Sequence, residues 1–497
     1  MTRPKRDNRI GGLLATILVL YAILGTLYAI YTPAWQAPDE PAHYNYIRYL
    51  AEQGRFPILK MGDYPGDYLE EIKAAHFPPD MSIEPIRYEF HQPPLYYLLA
   101  VPVYALFDGA LLPIRLLSVF LGGWLLVAIH RIVCTAAPGR PYLALGATAF
   151  VAFLPMHLAM VASANNDPLS ELLLAGVALF GLRYLKADED PQGEGANARL
   201  LLLMGIATGL CFLTKSGVYI ALPLALAAVG LRHLWLTDTP PTLRRTIQGG
   251  LLYFAPAIGL ALPWWLRNLA IYGGLDFLGL ARHDQVVAGQ LRTADFIAAQ
   301  GLGTWAHNLV VTTFHSFWGQ FGWMGVLLDE RLYQVAALLS ALALIGFVLW
   351  LIRAWGRRAE IARWQWAAGG LLLLLAVMVA ASYAWYNLGF LQHQGRYLFR
   401  ALAPAGLGVA LGWREVLERR LAWPLAAALL AGAILLRLTG LLSNWPALML
   451  AATAAALALR RFLPRALDPV LQAIPYLGLI ALAGASLFLF IVPQLAP

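Results

Sequence analysis

Two adjacent carboxylates, Asp39 and Glu40, follow the first apolar segment of the chain almost directly, within residues 38–44. Ionised side chains are costly where a membrane helix meets water, and those that are kept there mark functional sites by default. A carboxylate in such a place can remove a proton from a hydroxyl group or bind a divalent cation. The pair therefore predicts chemistry at a membrane surface.

Other ionisable residues lie near the ends of later apolar segments. These candidates are Asp167, Lys215, Arg267 and Arg396, with His43 and His91 close to the first carboxylates. An unpaired cation at a helix end is expensive, and a bound anion offsets that cost. Arginine suits phosphate because its planar fork of donors forms paired hydrogen bonds. Carboxylates beside such cations would suit transfer of a group from a lipid phosphate.

Each candidate also has a purely structural interpretation. Asp39 is a favoured residue type for a helix N-cap, and Glu40 would stabilise the first turn of a helix. Asp167 follows two asparagines and precedes a proline, as in an ordinary turn. Lys215, Arg267 and Arg396 are long enough to reach the interface without a ligand. The two histidines fit supporting hydrogen bonds better than primary catalysis.

The elements that must position these residues are transmembrane helices. The chain has 497 residues, of which 60% are hydrophobic and 13% charged, whereas about 25% are charged in a soluble protein. This predicts an all-α polytopic membrane protein with about 13 transmembrane helices. The expected spans are 10–31, 113–133, 142–162, 168–185, 200–214, 217–235, 248–268, 332–352, 365–387, 397–413, 421–441, 446–460 and 469–493.

The distribution of charge predicts the orientation of these helices. The expected cytoplasmic ends hold 22 of the 36 lysines and arginines but only 10 of the 28 acidic residues. The positive-inside rule then places the N-terminus in the cytoplasm and the candidate residues on the outer face. Because this orientation accounts for the net charge of +8, we expect no nucleic-acid partner.

Two outer loops, 32–112 and 271–331, are long enough to contain structure of their own. Residues 39–53 should form a helix, since Pro41 suits its first turn and Gly54 its end. Its His43, Tyr46, Ile47 and Leu50 share one face, which predicts contact with the bilayer surface. The apolar stretch 93–107 is short and contains a proline, so we expect an interfacial or re-entrant helix.

The motifs that carry these residues resemble those of the GT-C superfamily of integral-membrane glycosyltransferases. The likeness is greatest to bacterial relatives of protein O-mannosyltransferases and of the aminoarabinose transferase that modifies lipid A. It rests on the acidic pair after the first helix, on residues 91–97 (HQPPLYY), 213–215 (LTK) and 263–268 (PWWLRN). Residues 39–44, 164–167 and 394–397 are also similar to a family of predicted bacterial membrane proteins. The likeness covers residues 10 to 410, and it implies GT-C-like interfacial helices in the first outer loop.

The resemblance implies inverting transfer of a sugar from a polyprenyl-phosphate carrier, on the periplasmic face of a bacterial inner membrane. Asp39 would be the general base, with Glu40 and Asp167 orienting groups around it. Lys215, Arg267 and Arg396 would bind the donor phosphate. A divalent cation shared by the two aspartates is one option, and the metal requirement stays open.

The resemblance divides the chain into two parts. Residues 1–410 would form the catalytic transmembrane module and 411–497 the C-terminal transmembrane helices. The expected partners are a lipid-linked sugar donor, membrane lipids and an envelope acceptor, which is a lipid, a glycan or a protein. The alternatives are a transporter or flippase of a lipid-linked sugar and a non-catalytic envelope scaffold. A transporter would place ionisable residues at mid-bilayer and show repeated halves, and the sequence shows neither.

Overall fold

The computed structural model describes residues 4–186, 193–238, 241–440 and 442–495. In these ranges the chain is almost entirely helical, with one antiparallel hairpin of two short strands. Long helices form a bundle, and two long connections between them carry shorter helices. The predicted all-α membrane fold is confirmed.

The first helix and the first long connection occupy residues 4–106. They contain α1 (Pro4–Tyr31), α2 (Glu40–Gln53), α3 (Gly66–Ala74), a 3-10 turn (Tyr88–His91) and α4 (Leu95–Leu106). Helix α4 has 12 residues, or about 18 Å of length, whereas a bilayer core is about 30 Å thick. Its length therefore fits the interfacial or re-entrant helix expected at 93–107.

Helix α2 begins and ends close to the predicted limits. Pro41 lies in its first turn, and Gly54 ends it in the left-handed conformation, at φ +62°. The structure buries all four residues that were predicted to share a face: His43, Tyr46, Ile47 and Leu50. Tyr46 stacks on Tyr97 of α4, with ring centroids 3.7 Å apart. The expected contact with the bilayer is thus wrong, because protein covers this face.

The first half of the bundle runs from residue 111 to residue 272. It comprises α5 (Leu111–Ala136), α6 (Pro141–Ala152), α7 (Pro155–Val161), α8 (Asp167–Lys186), α9 (Gly193–Phe212), a 3-10 turn (Ser216–Val218), α10 (Ala221–Leu231), a π-helical turn (Arg232–Leu236) and α11 (Leu243–Tyr272). Helices α9 and α11 approach closely at Gly209, where a Cβ would lie 2.9 Å from the carbonyl oxygen of Pro256. A larger residue at this position would push the two helices apart.

Helices α6 and α7 are bent by 67° relative to each other. Pro155 opens α7, and a proline inside a helix removes a hydrogen bond and clashes with the preceding turn. The buried ring of His157 donates from Nδ1 to the carbonyl oxygen of Val151, at 3.2 Å. Its Nε2 lies 3.1 Å from Oε2 of Glu171 on α8. These two contacts hold the break against the neighbouring helix.

The second long connection contains α12 (Leu280–Val286), α13 (Thr293–Gln300), α14 (Leu302–Trp318) and the strands β1 (Gln320–Phe321) and β2 (Val326–Leu327). In the hairpin, Gln320 pairs with Leu327 and Phe321 with Val326. Trp323, in the turn between the strands, donates from Nε1 to the carbonyl oxygen of Trp35, at 2.9 Å. The two long connections therefore contact each other.

The remaining helices complete the bundle. They are α15 (Glu330–Gly356), a 3-10 turn (Arg358–Glu360), α16 (Arg363–Gly389), a 3-10 turn (Gly395–Ala401), α17 (Leu402–Val416), α18 (Ala422–Leu438), α19 (Asn444–Leu459), a 3-10 turn (Arg465–Leu467), α20 (Asp468–Ala485), a π-helical stretch (Ser486–Ile491) and α21 (Val492–Leu495). The hydroxyl of Tyr28 on α1 donates to the carbonyl oxygen of Ala483 on α20, at 2.8 Å. The first and last long helices are thereby joined, and the main buried core lies among α1, α5 to α10, α15 to α17 and α20.

Nine helices of the described residues are long and apolar enough to cross a membrane, and the bent pair of α6 and α7 would make ten. The predicted number of 13 is not confirmed. The other three expected spans correspond to α17, α18 and α19, with 15, 17 and 16 residues. At about 1.5 Å per residue these helices are shorter than the apolar core of a typical bilayer.

Candidate active site

Asp39 lies immediately before α2 with its backbone in the left-handed conformation, at φ +68°. Asp39 occupies the N-cap position of α2, but its side chain makes no capping hydrogen bond. Instead, Oδ1 accepts from the hydroxyl of Tyr88 at 2.8 Å, and Oδ2 accepts from Nη2 of Arg396 at 2.7 Å. A non-glycine residue in this conformation is uncommon and costs about 1 kcal/mol or more. The backbone thus turns the carboxylate away from the helix and toward these partners.

The surroundings of Asp39 favour its ionised form. Burial alone would raise the pKa of Asp39, but the charge of Arg396 and the hydrogen bonds from Tyr88 and Arg396 lower it below its ordinary value. The Asp39 side chain is nevertheless 25% exposed. A substrate hydroxyl can therefore reach a carboxylate that is already deprotonated.

Glu40 points in a different direction and is fully buried. Its Oε1 accepts from Nε of Arg115 and from the backbone N–H of Ala164, at 2.7 and 3.0 Å. Its Oε2 accepts from Nη2 of Arg115 and the backbone N–H of Trp35, at 2.6 and 3.0 Å. Both oxygens are saturated, so Glu40 lies behind the site and joins the elements that carry it.

Arg115, on α5, is the centre of this buried contact. Besides Glu40, its guanidinium donates to the carbonyl oxygens of Ala29, Thr32 and Pro33, at 2.9, 2.7 and 3.1 Å. These carbonyls belong to the end of α1 and the residues after it, where a helix leaves acceptors unsatisfied. All five N–H groups of Arg115 are used, and they fix the start of α2 against α1 and α5.

A second ion pair forms between Asp167 and Lys215. Nζ of Lys215 donates to Oδ1 of Asp167 at 2.5 Å, and the two side chains are 15% and 17% exposed. Asp167 is the first residue of α8, and its backbone N–H donates to Oδ1 of Asn165 at 2.8 Å. Lys215 lies just beyond α9, directly before the 3-10 turn of Ser216–Val218. The ends of two helices thus present this pair together.

The two ion pairs belong to one cluster. The charges of Lys215, Arg400 and Arg396 all act on Asp167, and those of Asp39 and Asp167 both act on Arg396. We call the group formed by Asp39, His43, Glu89, Asp167, Lys215, Arg396 and Arg400 the polar cluster. Its members come from five separate segments of the chain. It gathers carboxylates and basic side chains at one place, as the sequence predicts.

His43 and His91 lie beside the cluster and make the expected hydrogen bonds. Nδ1 of His43 is 2.8 Å from the hydroxyl of Tyr97, and Nδ1 of His91 donates to the carbonyl oxygen of Tyr88 at 3.1 Å. Burial lowers the pKa of both histidines and favours their neutral forms, although nearby carboxylates oppose this effect at His43. The ring of His91 also contacts that of His283, with centroids 4.4 Å apart.

Arg267 is not brought into the polar cluster. On α11 it donates to the carbonyl oxygen of Pro57 at 2.6 Å, and its guanidinium lies 4.5 Å from the ring centroid of Trp264. Among the described residues it forms no ion pair with Asp39 or Asp167. Its contacts tie the first long connection to α11, and its expected place beside the other cations is not found.

Four residues of the site were missed by the sequence reasoning: Tyr88, Glu89, Arg115 and Arg400. Glu89 is a third carboxyl group, and its Oε2 has no hydrogen-bond partner in the described part of the chain. Burial raises the pKa of Glu89, as does the charge of Asp39, against opposing effects of His43 and Lys215. A signal existed for two of them, since Glu89 lies two residues before His91 and Arg400 lies four residues after Arg396.

The donor groups of the site do not form an evident metal centre. Within the described ranges, no group of three or more His, Cys, Asp or Glu residues is placed to hold a metal ion. Asp39 and Asp167, the two aspartates considered for a shared cation, are each paired with a basic side chain. No step below depends on a metal.

Comparison with known proteins adds a family and a fold. The family model described as "Predicted membrane protein (DUF2142)" matches residues 86–404. The match includes Glu89, Asp167, Lys215 and Arg396, and it begins after Asp39. A probable peptidoglycan glycosyltransferase, FtsW of Halomonas elongata, is 27% identical over 312 residues, covering 52% of this chain and 76% of the relative.

Two solved structures resemble the whole bundle. One is ArnT from Cupriavidus metallidurans bound to undecaprenyl phosphate, with a TM-score of 0.50, 16% identity, and coverage of 97% of this chain and 77% of ArnT. The other is the Archaeoglobus fulgidus oligosaccharyltransferase in its apo form, with a TM-score of 0.50, 12% identity, and coverage of 93% and 56%. These likenesses confirm the predicted GT-C-like fold.

Proposed function

This chain belongs to the family described as predicted membrane proteins (DUF2142), and we propose that it is a glycosyltransferase. It transfers a sugar from a polyprenyl-phosphate-linked donor to an envelope acceptor, with inversion at the anomeric carbon. The observation that carries this proposal is the polar cluster, in which a partly exposed carboxylate, Asp39, lies beside basic side chains suited to phosphate. The likeness to ArnT, whose structure holds undecaprenyl phosphate, supports the choice of donor.

Asp39 is the general base of the proposed reaction. It takes the proton from the acceptor hydroxyl while the acceptor oxygen forms a bond to the anomeric carbon. The bond from that carbon to the phosphate oxygen breaks, and its electron pair leaves with the lipid phosphate. Lys215 and Arg396 stabilise the negative charge that the phosphate gains.

The contact between Arg396 and Asp39 links binding to proton transfer. The charge of Arg396 contributes to the lowered pKa of Asp39. A phosphate that draws the guanidinium toward itself would weaken this effect and raise the pKa of Asp39. The carboxylate would therefore become a stronger base as the donor binds. Glu40 and Arg115 are positioning residues in this scheme.

The site is proposed to face the periplasm of a bacterial inner membrane, with the N-terminus in the cytoplasm. This orientation follows from the distribution of lysine and arginine along the chain. It would let the protein use donors and acceptors that are already outside the cytoplasm.

The decisive experiment is a transfer assay with the full-length protein in lipid nanodiscs. Labelled polyprenyl-phosphate sugars are supplied with extracted envelope lipids, glycans and proteins, and product formation is followed. Asp39→Asn should lower the rate by about 10²- to 10⁴-fold, the usual contribution of a general base. The matched control is Asp67→Asn, because Asp67 is an exposed acid of the same connection, in the first turn of α3.

Two results would contradict the proposal. Equal donor consumption by Asp39→Asn and the wild type would remove Asp39 as the base. A wild type that consumes no donor from a broad panel, but moves lipid-linked sugar across the membrane when reconstituted into sealed lipid vesicles, would be a flippase instead.

A further inference from the structure

Arg400 is a basic residue of the polar cluster to which the proposed reaction assigns no role. It lies in the 3-10 turn of Gly395–Ala401, four residues after Arg396. Its side chain is partly buried, and within the described residues it forms no hydrogen bond and no ion pair. Placing a cation out of water without a partner is costly, and a bound anion would offset that cost.

The guanidinium of Arg400 rests on Gly217, two residues after Lys215. A Cβ built on Gly217 would lie 2.5 Å from each of Cζ, Nη1 and Nη2 of Arg400. These equal distances indicate that the plane of the guanidinium faces the glycine. Its N–H donors lie in that plane, so they remain available at its edge for a planar, paired contact with a phosphate. Only a residue without a side chain leaves room for this arrangement.

The other cations of the cluster are already engaged. Lys215 is paired with Asp167 and Arg396 with Asp39, and the charge of Arg400 acts on Asp167 without a direct contact. Burial favours the neutral forms of Glu89 and His43, so the two carboxylates and three basic groups that remain leave one positive charge. A sugar linked to a lipid through one phosphate is a phosphodiester with one negative charge, which would balance it.

We propose that Arg400 is the residue that first binds the phosphate of the lipid-linked donor, and that Gly217 is the positioning residue that admits its guanidinium. This inference rests on the proposed function and specifies its donor site. Arg400 holds the phosphodiester before transfer, and Lys215 and Arg396 add contacts as the second negative charge develops. The ligand chemistry is a phosphate attached to a polyprenyl chain.

Binding of a labelled undecaprenyl-phosphate sugar, which is a phosphodiester, and of undecaprenyl phosphate, the monoester that transfer releases, to the full-length protein in nanodiscs tests the inference. Arg400→Gln should weaken binding roughly tenfold or more, as expected for the loss of a charge-assisted hydrogen bond. Arg400→Lys should recover part of the affinity because it keeps the charge but not the fork. Gly217→Ala should also weaken binding, since its methyl group displaces Arg400. Arg55→Gln, which changes an exposed arginine of the first connection, is the matched control.

The arms of this experiment separate the possible outcomes. Thermal unfolding of each variant, compared with the wild type, shows whether the fold is intact. If Arg400→Gln binds undecaprenyl phosphate as tightly as the wild type does, and the wild type transfers sugar, then Arg400 has no role in binding. The proposed function would still stand. Competition by inorganic phosphate at the same concentration as undecaprenyl phosphate would overturn the lipid-linked ligand. A wild type that neither binds undecaprenyl phosphate nor transfers sugar would overturn both proposals.

Discussion

Replacing Glu40 by glutamine should destabilise the protein far more than the loss of one charge on a surface. Glu40 is fully buried, and each of its two oxygens accepts two hydrogen bonds. Glutamine keeps one oxygen and puts an NH₂ group in place of the other. In either orientation, two N–H donors, one from Arg115 and one from the backbone, would face that NH₂ group.

The expected cost follows from this count. A buried donor left without an acceptor costs about 1–3 kcal/mol, and two such donors are created. Breaking a buried ion pair by removing one partner costs about 3–5 kcal/mol, which agrees with that sum. We therefore expect Glu40→Gln to lower the free energy of unfolding by about 3–5 kcal/mol.

Unfolding of the protein in mixed detergent micelles, monitored by tryptophan fluorescence, measures this change. A double-mutant cycle with Arg115→Gln gives the coupling, and the double variant should lose much less than the sum of the two single variants. Asp67→Asn serves as the surface control. A Glu40→Gln variant as stable as the wild type, or strictly additive losses, would refute the positioning role of the buried pair.

Three further predictions concern the polar cluster. Arg396→Gln removes a charge that lowers the pKa of Asp39, so the pKa of Asp39 should rise. The acid limb of the pH profile of kcat/KM should then move to higher pH. An acid limb that does not move would contradict the assignment of Asp39 as the base. Glu89→Gln should keep most of the wild-type kcat/KM, because burial favours the neutral form of Glu89 and glutamine resembles a neutral carboxyl group. If this variant lost as much kcat/KM as Asp39→Asn does, Glu89 would be the base instead. Gly395→Ala should reduce donor affinity, because a Cβ at this position would lie 2.6 Å from Cα of Phe317 in α14 and displace the turn that carries Arg396. Direct binding of undecaprenyl phosphate measures this affinity. An unchanged affinity would contradict the role of the turn.

Local sequence patterns were sufficient for the features that depend on neighbouring residues. The limits of α2 follow from Pro41 and Gly54, and long apolar runs identify the helices of the bundle. Asp39 was found because two adjacent carboxylates beside an apolar segment are unusual. The short helix α4 was distinguished from a span by its length and its proline.

Contacts between distant residues explain what the sequence did not reveal. Arg115 lies near the start of an apolar segment, where a basic residue is unremarkable, yet it pairs with a carboxylate 75 positions earlier. The apolar face of α2 has the same pattern whether it meets lipid or α4, so its periodicity could not decide between them. Arg267 has the same local setting as Lys215, and only the packing of α11 against Pro57 separates their positions.

Because the chain is synthesised from its N-terminus, the two neighbouring carboxylates can meet their basic partners at different times. Glu40 meets its partner 75 residues later, whereas Asp39 meets Arg396 only after 357 residues. At about 5–20 residues per second, these intervals are roughly 4–15 s and roughly 20–70 s. The anchor behind the site can therefore form early in membrane insertion, while Asp39 waits for most of the bundle to be synthesised. A nascent chain stopped before residue 396 would hold a positioned but unpaired aspartate.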